Sequence, residues 1–304
     1  GASEARRLIG CGDISPMELL EACISRIEAV NPQVNAIVAT DLKQARREAK
    51  IAENAVLAGN ALPPLHGLPI GIKDLNATKG LRTTWGSKLF ENHVPTEDDA
   101  LVARLRAAGG IIVGKTNTPE FGSGTATNNL VYGPTRNPFD LERTSGGSSG
   151  GSAAALATNM LPLCQGGDTG GSLRNPATWC GILGFRSTPG LIPQENRTLN
   201  YTHFNVQGPM ARSVPDIALM MAGCVGNDDR DPMANPCNPQ TFLKINPANL
   251  KNVRVAWTED FGGVAPLDDG IRGCFKKVIG ALASTFQSLD CRNPDFSDAR
   301  DCFW

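Results

Sequence analysis

Two glycine-flanked serine clusters lie within a stretch of 27 residues, GGSSGG at 146–151 and GGDTGGS at 166–172. A serine between glycines can approach a substrate closely, because glycine has no side chain and tolerates unusual backbone angles. Consecutive backbone N–H groups before such a serine can converge on one oxygen as an oxyanion hole, where losing one donor raises the barrier by about 3 kcal/mol. The pattern therefore favours a serine nucleophile, with the amides of residues 169–172 as candidate donors.

Two other interpretations of this stretch are a flexible linker and a phosphate-binding loop. A Gly/Ser linker is normally surrounded by polar, low-complexity sequence, whereas the first cluster is followed by the helix-forming segment SAAALATNM at 152–160. Glycine-rich turns that open a helix do bind anions. However, the spacing G-x-x-x-x-G-K-[ST] is absent, and no lysine or acidic residue stands where a nucleotide site needs one. Both interpretations explain less than a nucleophile does.

A serine nucleophile needs a base, and the sequence offers histidine or lysine. The chain has three histidines, His66, His93 and His203, and none belongs to a recognisable motif. Serine–lysine arrangements are a known alternative, and Lys73 follows the alternating residues of LPIGI at 68–72. The ordinary lysine pKa of about 10.4 leaves about one neutral lysine in 2,500 at pH 7, so burial must lower it by about three units. We therefore expect Lys73 at the buried end of a strand.

Helices and strands alternate along the chain. Ser15, Pro16 and Glu18 form a capping-box pattern at the start of a helix. The apolar spacing predicts helices over 15–30, 41–58 and 268–289, an aspartate-capped helix before Gly109, and a helix at SAAALATNM. It predicts strands over 68–72, 111–114 and 252–258. This alternation favours an α/β fold with a parallel or mixed sheet.

Composition narrows the classes of protein. The chain has 304 residues, a net charge of −1 and 41% apolar residues. This composition predicts a folded protein, and the near-neutral charge argues against nucleic acid as a partner. No apolar run reaches the roughly 18 residues of a membrane span, so no membrane partner is expected either. Without a recognisable signal peptide, a cytoplasmic location is expected. Nine cysteines without a C-x-x-C pair argue against a zinc site and for buried, reduced thiols.

Several phrases of the sequence resemble the amidase signature family of serine hydrolases. They are GIKD at 71–74, GGSSGG at 146–151, GGDTGGSLRNPA at 166–177, GKTNTPEFG at 114–122, YGPTRNPFD at 132–140, CGILGFRSTPG at 180–190 and GPMARSVPD at 208–216. The resemblance runs from about Ser15 to Trp304. It implies a central, mixed, twisted sheet covered by helices on both faces. Residues 1–60 would be a helical segment packing on a core of residues 61–304. Members of the family are longer, so the C-terminal part of the fold is expected to be missing. Either the chain is a fragment or another segment completes the sheet.

The resemblance also implies a Ser–cis-Ser–Lys triad. By position, Ser172 is the nucleophile, Lys73 is the base and Ser148 bridges them, with a cis peptide between Gly147 and Ser148. Ser148 is chosen over Ser149 because it precedes Ser172 by 24 residues, as in the family. The same resemblance gives oxyanion-hole or substrate-binding roles, and supporting roles, to a further set: Thr169, Gly170, Gly171 and Gly122, and Asp168 and Arg174.

The implied reaction is a two-step acyl transfer on a small-molecule amide. Neutral Lys73 takes a proton from Ser148, which takes one from Ser172, and Ser172 attacks the amide carbonyl. Water then hydrolyses the acyl-enzyme by the reverse proton route. No metal or organic cofactor is needed. The resemblance favours linear amides rather than peptide bonds, but it leaves open which amide is cleaved and whether the protein is a homo-oligomer.

Two other functions are compatible with these motifs. One is the glutaminase subunit of a tRNA-dependent amidotransferase, in which glutamine usually precedes the proline of the SLRNPA phrase. Asn175 stands at that position here, which favours a stand-alone amidase. The other is a non-catalytic scaffold that keeps the fold. The presence of all three triad residues argues against a scaffold.

Overall fold

The computed structural model describes residues 1–195, 201–299 and 301, and the chain divides into two compact units. The larger unit is Gly1–Ile245 and the smaller is Asn246–Trp304. All residues that the sequence nominated for the site belong to the larger unit. The boundary expected at residue 60 stays a prediction.

A six-stranded mixed sheet, with the order β1-β3-β2-β6-β8-β7, forms the centre of the larger unit. Numbered in chain order, the strands of this unit are β1 (Ile37–Thr40), β2 (Pro69–Lys73), β3 (Ile111–Thr116), β4 (Arg136–Asn137), β5 (Asp140–Thr144), β6 (Leu163–Asp168), β7 (Leu183–Gly184) and β8 (Val206–Ala211). Strand β2 runs parallel to its neighbours β3 and β6, and the outer pairs are antiparallel. Strands β4 and β5 pair separately as a hairpin.

Helices cover both faces of this sheet, which confirms the predicted fold class. They are α1 (Ala2–Cys11), α2 (Pro16–Val34), α3 (Leu42–Leu57), α4 (Ala100–Ala107), α5 (Gly150–Ala157), α6 (Arg174–Trp179) and α7 (Val214–Cys224). Residues of α2, α3, α5 and α6 share one apolar core with Ile111 and Val113 of β3, whereas those of α1, α4 and α7 share a second core with Ile112. Successive side chains of a strand point to opposite faces, so β3 contributes to both cores.

The strand that carries Lys73 is buried along its whole length. The sequence alternation predicted this strand correctly, but the residues between the apolar ones are buried as well. The cause is the position of β2 between two parallel neighbours, with helices above and below. Lys73, the last residue of this strand, is buried with it.

Helix starts follow the predicted signals with two differences. The capping box of Ser15 and Glu18 is present at the start of α2. Helix α4 begins after Asp99 as predicted, but the Asp99 carboxylate does not cap it, because it accepts hydrogen bonds from Ala77 N and Asn76 Nδ2 instead. Helix α5 begins at Gly150, two residues before the predicted serine, so the first glycine–serine cluster does lie at a helix N-terminus.

The smaller unit has its own two-stranded parallel sheet, formed by β9 (Arg254–Trp257) and β10 (Ser288–Cys291). Helix α8 (Asp269–Leu282) lies between them in the chain. The predicted strand at 252–258 is present over Arg254–Trp257. The helix predicted over 268–289 ends at Leu282, and its last two predicted residues belong to β10 instead. Strand β9 pairs with β10 and not with the central sheet.

Four of the eight described cysteines are buried thiols, and the others are exposed or half-buried. The expectation of buried thiols is therefore correct for Cys23, Cys164, Cys180 and Cys224 only, and Cys302 lies outside the described residues. Within the described part of the chain, no helix is both long and apolar enough to cross a bilayer.

Candidate active site

Lys73 lies at the C-terminal end of β2 and is 1% exposed. Its Nζ donates a hydrogen bond of 2.7 Å to Ser148 Oγ. Burial lowers the pKa of Lys73 to about 7, against the opposing effect of the Asp168 charge. Only a neutral amine can accept a proton, and a lysine with this pKa is neutral in a large fraction of molecules at neutral pH.

The two adjacent serines of the first cluster have different surroundings. The peptide between Gly147 and Ser148 is cis, and Ser148 Oγ is the atom that accepts the Lys73 hydrogen bond. Ser149 Oγ instead donates to Gly167 O and accepts from Gly167 N, both at 3.3 Å. The structure therefore pairs Ser148, and not Ser149, with the lysine, as the family resemblance implied.

Gly122 lies beside the bridging serine. Its φ is +71°, a conformation that favours glycine. A Cβ at this position would lie 2.6 Å from Leu75 Cδ1 and 3.6 Å from Ser148 Oγ. Glycine therefore leaves the space next to the Ser148 hydroxyl open.

Ser172 lies in the loop after β6 and lines the same cavity as Lys73 and Ser148. The cavity has a volume of about 410 Å³. The Ser149 N–H donates to Ser172 O at 3.3 Å, which ties the two glycine–serine clusters together through their backbones. The three nominated side chains of the triad thus meet in one cavity, although they come from separate parts of the chain.

The backbone amides near Ser172 differ from the predicted set at one position. The Gly171 N–H donates to Asp168 Oδ1 at 2.8 Å, so it is not free to bind an oxyanion. Among the described residues, the N–H groups of Thr169, Gly170 and Ser172 donate to no protein acceptor. The expected oxyanion hole is therefore reduced to these three amides.

Asp168 is the buried anchor of this loop. Arg174 donates to both of its carboxylate oxygens, at 3.0 and 3.1 Å, as the predicted supporting pair. Burial would raise the pKa of Asp168, but hydrogen bonds from Arg174 and from the amides of Gly171 and Leu173 outweigh it and hold the pKa below its ordinary value. The carboxylate therefore stays ionised and fixes the loop that carries Ser172.

A second arginine on Asp168 was not predicted. Arg186 donates to Asp168 Oδ1 at 3.1 Å and to the backbone oxygens of Asp168, His203 and Phe204. The only signal for it was its place in the phrase CGILGFRSTPG at 180–190, because nothing in the spacing links it to a carboxylate 18 residues earlier. Arg186 joins the loop that carries Ser172 to the segment that precedes β8.

We expect Arg186→Ala to lower the free energy of unfolding by about 3 kcal/mol and Arg174→Ala by about 1 kcal/mol. The side chain of Arg186 is 24% exposed and that of Arg174 is 55% exposed, although both pair with Asp168. Solvent screening therefore weakens the Arg174 pair more. Urea unfolding of the two variants and the wild type measures the difference, and equal losses would contradict it.

The rest of the cavity has an apolar and a polar side. Leu75, Trp85 and Phe121 line it on the apolar side. The Trp85 ring packs against Phe90 at 4.8 Å and against His93 at 5.1 Å between centroids. Polar residues also line it: Asn76, Asp99, Gln194 and Glu195, and with them Thr169, Asn205 and Gln207. Sequence patterns did not find the first four of these residues, because they lie in loops and at a helix start without any periodicity.

None of the three histidines lines this cavity. His66 Nε2 pairs with Ala52 O at 2.9 Å, and His93 stacks on Trp85. Lys73 is therefore the only basic side chain among the described residues of the lining.

Known proteins match both the sequence and the fold. The sequence profile of the Amidase family matches residues 18–293. The chain is 37% identical over 303 residues to an acylamidase of Rhodococcus erythropolis, covering 100% of this chain and 63% of that protein. It is 45% identical over 280 residues to a glutamyl-tRNA(Gln) amidotransferase subunit of Roseiflexus castenholzii, covering 92% of this chain and 57% of that protein.

Solved structures agree with these sequence matches. A bacterial aryl acylamidase of the amidase signature family superposes with a TM-score of 0.91 at 28% identity, over 100% of this chain and 64% of that one. The peptide amidase of Stenotrophomonas maltophilia superposes with a TM-score of 0.84 at 26% identity, over 98% of this chain and 63% of that one. The chain thus spans less than two thirds of the length of these relatives. On the family profile, the fold and these relatives together, the chain belongs to the amidase signature family of hydrolases.

Proposed function

We propose that this chain carries the catalytic centre of an amidase that cleaves the C–N bond of small, linear carboxylic acid amides through an acyl-enzyme on Ser172. The observation that carries the proposal is the 2.7 Å hydrogen bond from buried Lys73 to Ser148 Oγ, in the cavity that Ser172 also lines. Family membership makes hydrolysis of an amide the expected chemistry. A cytoplasmic location belongs to the same proposal.

The proton route follows from the hydrogen bond and the pKa of Lys73. With that pKa at about 7, about half of the Lys73 side chains are neutral at pH 7. Neutral Lys73 takes the proton of Ser148, and Ser148 takes the proton of Ser172 as its Oγ attacks the amide carbon. The proton then passes back to the leaving nitrogen as the C–N bond breaks. Water repeats the route to release the carboxylic acid.

The negative oxygen of the tetrahedral intermediate is assigned to the amides of Thr169, Gly170 and Ser172. These are the N–H groups of the loop without a protein acceptor among the described residues. Asp168 and its arginine partners hold the loop in place, so the donors do not have to reorganise during the reaction. The open space beside Gly122 lets the acyl carbon reach Ser172.

The apolar side of the cavity favours a substrate with an aryl or other apolar group. Trp85 and Phe121 present aromatic rings to the cavity, and aromatic rings pack well on one another. The acylamidase and aryl acylamidase relatives agree with this substrate class. A set of acetanilides, aliphatic amides and glutamine, with release of amine or ammonia as the readout, tests the proposal. Hydrolysis that Ser172→Ala abolishes is expected, and no hydrolysis of any amide by the folded wild-type chain would reject it.

A second candidate is the glutaminase subunit of a tRNA-dependent amidotransferase. The 45% identity to the glutamyl-tRNA(Gln) amidotransferase subunit of Roseiflexus castenholzii favours it, whereas Asn175 in place of glutamine speaks against it. Glutamine hydrolysis with and without the other proteins of such a complex discriminates the two. Hydrolysis of glutamine only in the presence of those proteins would replace the stand-alone amidase.

A further inference from the structure

Four of the polar residues that line the cavity are linked to one another, and we call them the polar wall: Asn76, Asp99, Gln194 and Glu195. Asn76 Nδ2 donates to Asp99 Oδ2 at 3.2 Å. Asp99 precedes the first residue of α4, and the N–H of that residue, Ala100, donates to Glu195 Oε1. Chain neighbours and hydrogen bonds thus join the four residues.

The polar wall carries excess negative charge. It has two carboxylates, and Lys73 at the catalytic end is the only basic residue among the described residues of the lining. Lys115 of β3 compensates part of this charge, since it is buried and its positive charge acts on Asp74 and Asp99. Arg230 also attracts Glu195, but it is paired with Asp228 at 2.8 Å. Among the described residues, the carboxylates of Asp74, Asp99 and Glu195 outnumber the nearby Lys115 cation, although burial raises the pKa of Asp74 and of Asp99. This excess of carboxylates favours a positively charged ligand.

Two side-chain atoms of the polar wall lack partners. Asn76 Oδ1 and Gln194 Nε2 are buried and have no hydrogen-bond partner among the described residues. The two residues are 6% and 8% exposed, and both line the cavity. Buried polar groups are nearly always hydrogen-bonded, so such atoms call for a partner from outside the protein. An acceptor and a donor here indicate a polar ligand, not an apolar one.

We propose that the polar wall binds a protonated amine carried by the amide substrate. The ammonium N–H groups donate to the carboxylates of Asp99 and Glu195. Small rotations of the Asn76 and Gln194 side chains bring the buried Asn76 Oδ1 and Gln194 Nε2 into hydrogen bonds with the same ligand. Trp85 and Phe121 line the same cavity, and aromatic faces attract cations. The inference rests on the proposed amidase function for the bond that is cleaved, but the charge preference of the cavity does not depend on turnover.

The test compares three acetanilides that differ only at the para position: ethyl, aminomethyl and carboxymethyl. These groups are neutral, cationic and anionic at pH 7, and the charge is separated from the ring by a methylene. The ethyl and aminomethyl groups match in size, so the comparison of these two isolates the positive charge, and the carboxymethyl group is two heavy atoms larger. Binding to the full chain with Ser172→Ala, which cannot turn the compounds over, is measured by calorimetry. We expect the aminomethyl compound to bind at least about tenfold more tightly than the carboxymethyl compound. Raised salt should reduce this ratio.

The matched variants are Asp99→Asn with Glu195→Gln, and Glu97→Gln as the control. Glu97 is an exposed carboxylate of the same segment that does not line the cavity. The double variant should bind the three compounds equally, and the control should keep the preference. Equal binding of the three compounds by the parent chain, tighter binding of the anion or no binding of any of them overturns the inference, even if the double variant does not fold.

Hydrolysis of the same compounds by the wild-type chain is measured separately. Tight binding of the cation without hydrolysis would reject the amidase function alone, and hydrolysis without a charge preference would reject the polar wall alone.

Discussion

Replacing Lys73 by methionine is expected to abolish most amide hydrolysis and to stabilise the fold at the same time. Loss of a general base lowers kcat/KM by about 100- to 10,000-fold, and this base is the first member of the proton route. The stability effect has the opposite sign. Burial lowers the pKa of Lys73 from 10.5 to about 7, so the folded protein binds this proton less tightly than the unfolded chain does. The ammonium therefore destabilises the fold by about 4 kcal/mol at pH 7.

The effect of Lys73→Met on the free energy of unfolding should depend on pH. The cost is fully present below pH 7, decreases as the pH rises towards 10.5, and vanishes where the lysine is neutral in both states. The gain in the free energy of unfolding on Lys73→Met should decrease over the same interval. Urea unfolding between pH 6 and 10, with kcat/KM measured beside it, checks both halves. Lys79→Met, at an exposed position six residues later, should change neither. Wild-type activity in Lys73→Met would remove lysine as the base.

The second large effect on kcat/KM is expected when the two adjacent serines, Ser148 and Ser149, are each replaced by alanine. Ser148→Ala removes the hydroxyl that accepts the Lys73 hydrogen bond, and kcat/KM should decrease by about 100- to 10,000-fold. Ser149→Ala removes a hydroxyl of the same size that binds only the backbone of Gly167. It should lower the free energy of unfolding by about 1 kcal/mol and change kcat/KM by less than about threefold. The reverse ranking of the two variants would mean that Ser149 carries the proton.

Much of the fold could be predicted because the sequence signals were local. The alternation before Lys73 predicted β2, the capping box predicted the start of α2, and the helix formers after the first cluster predicted α5. Each of these signals reflects neighbours within a few residues, so no distant contact was needed. The quoted motifs then placed Lys73, Ser148 and Ser172, and the structure brings all three into one cavity.

The features that could not be predicted depend on contacts between distant segments. Strand β1 has only four residues and is fixed by its pairing with β3, about 75 residues later. The Asp99 carboxylate accepts hydrogen bonds from Ala77 and Asn76 and does not cap its helix, which the capping signal could not predict. Arg186 reaches Asp168 across the sheet. In each case the role of the residue depends on a distant partner, and local sequence patterns do not identify that partner.

The amide of Gly171 illustrates the same limit within the site. Four consecutive N–H groups before and at a serine suggested four oxyanion donors, but a fixed carboxylate in the same loop takes one of them. The loop needs that hydrogen bond, because Asp168 is buried and must be satisfied by several donors. Local spacing therefore identified the loop correctly and overestimated the number of free donors.

In the proposed mechanism, a neutral amine at residue 73 activates the hydroxyl of residue 172 through that of residue 148. The most direct test is the pH dependence of labelling by a fluorophosphonate, in which the serine oxygen forms a bond to phosphorus and fluoride leaves, with the labelled residue mapped by mass spectrometry. We expect a single adduct on Ser172, formed at a rate that rises with pH to a plateau with a midpoint near 7, as Lys73 loses its proton. An adduct on Ser148 or Ser149 instead, or a rate on Ser172 that does not change between pH 5.5 and 8.5, would contradict it.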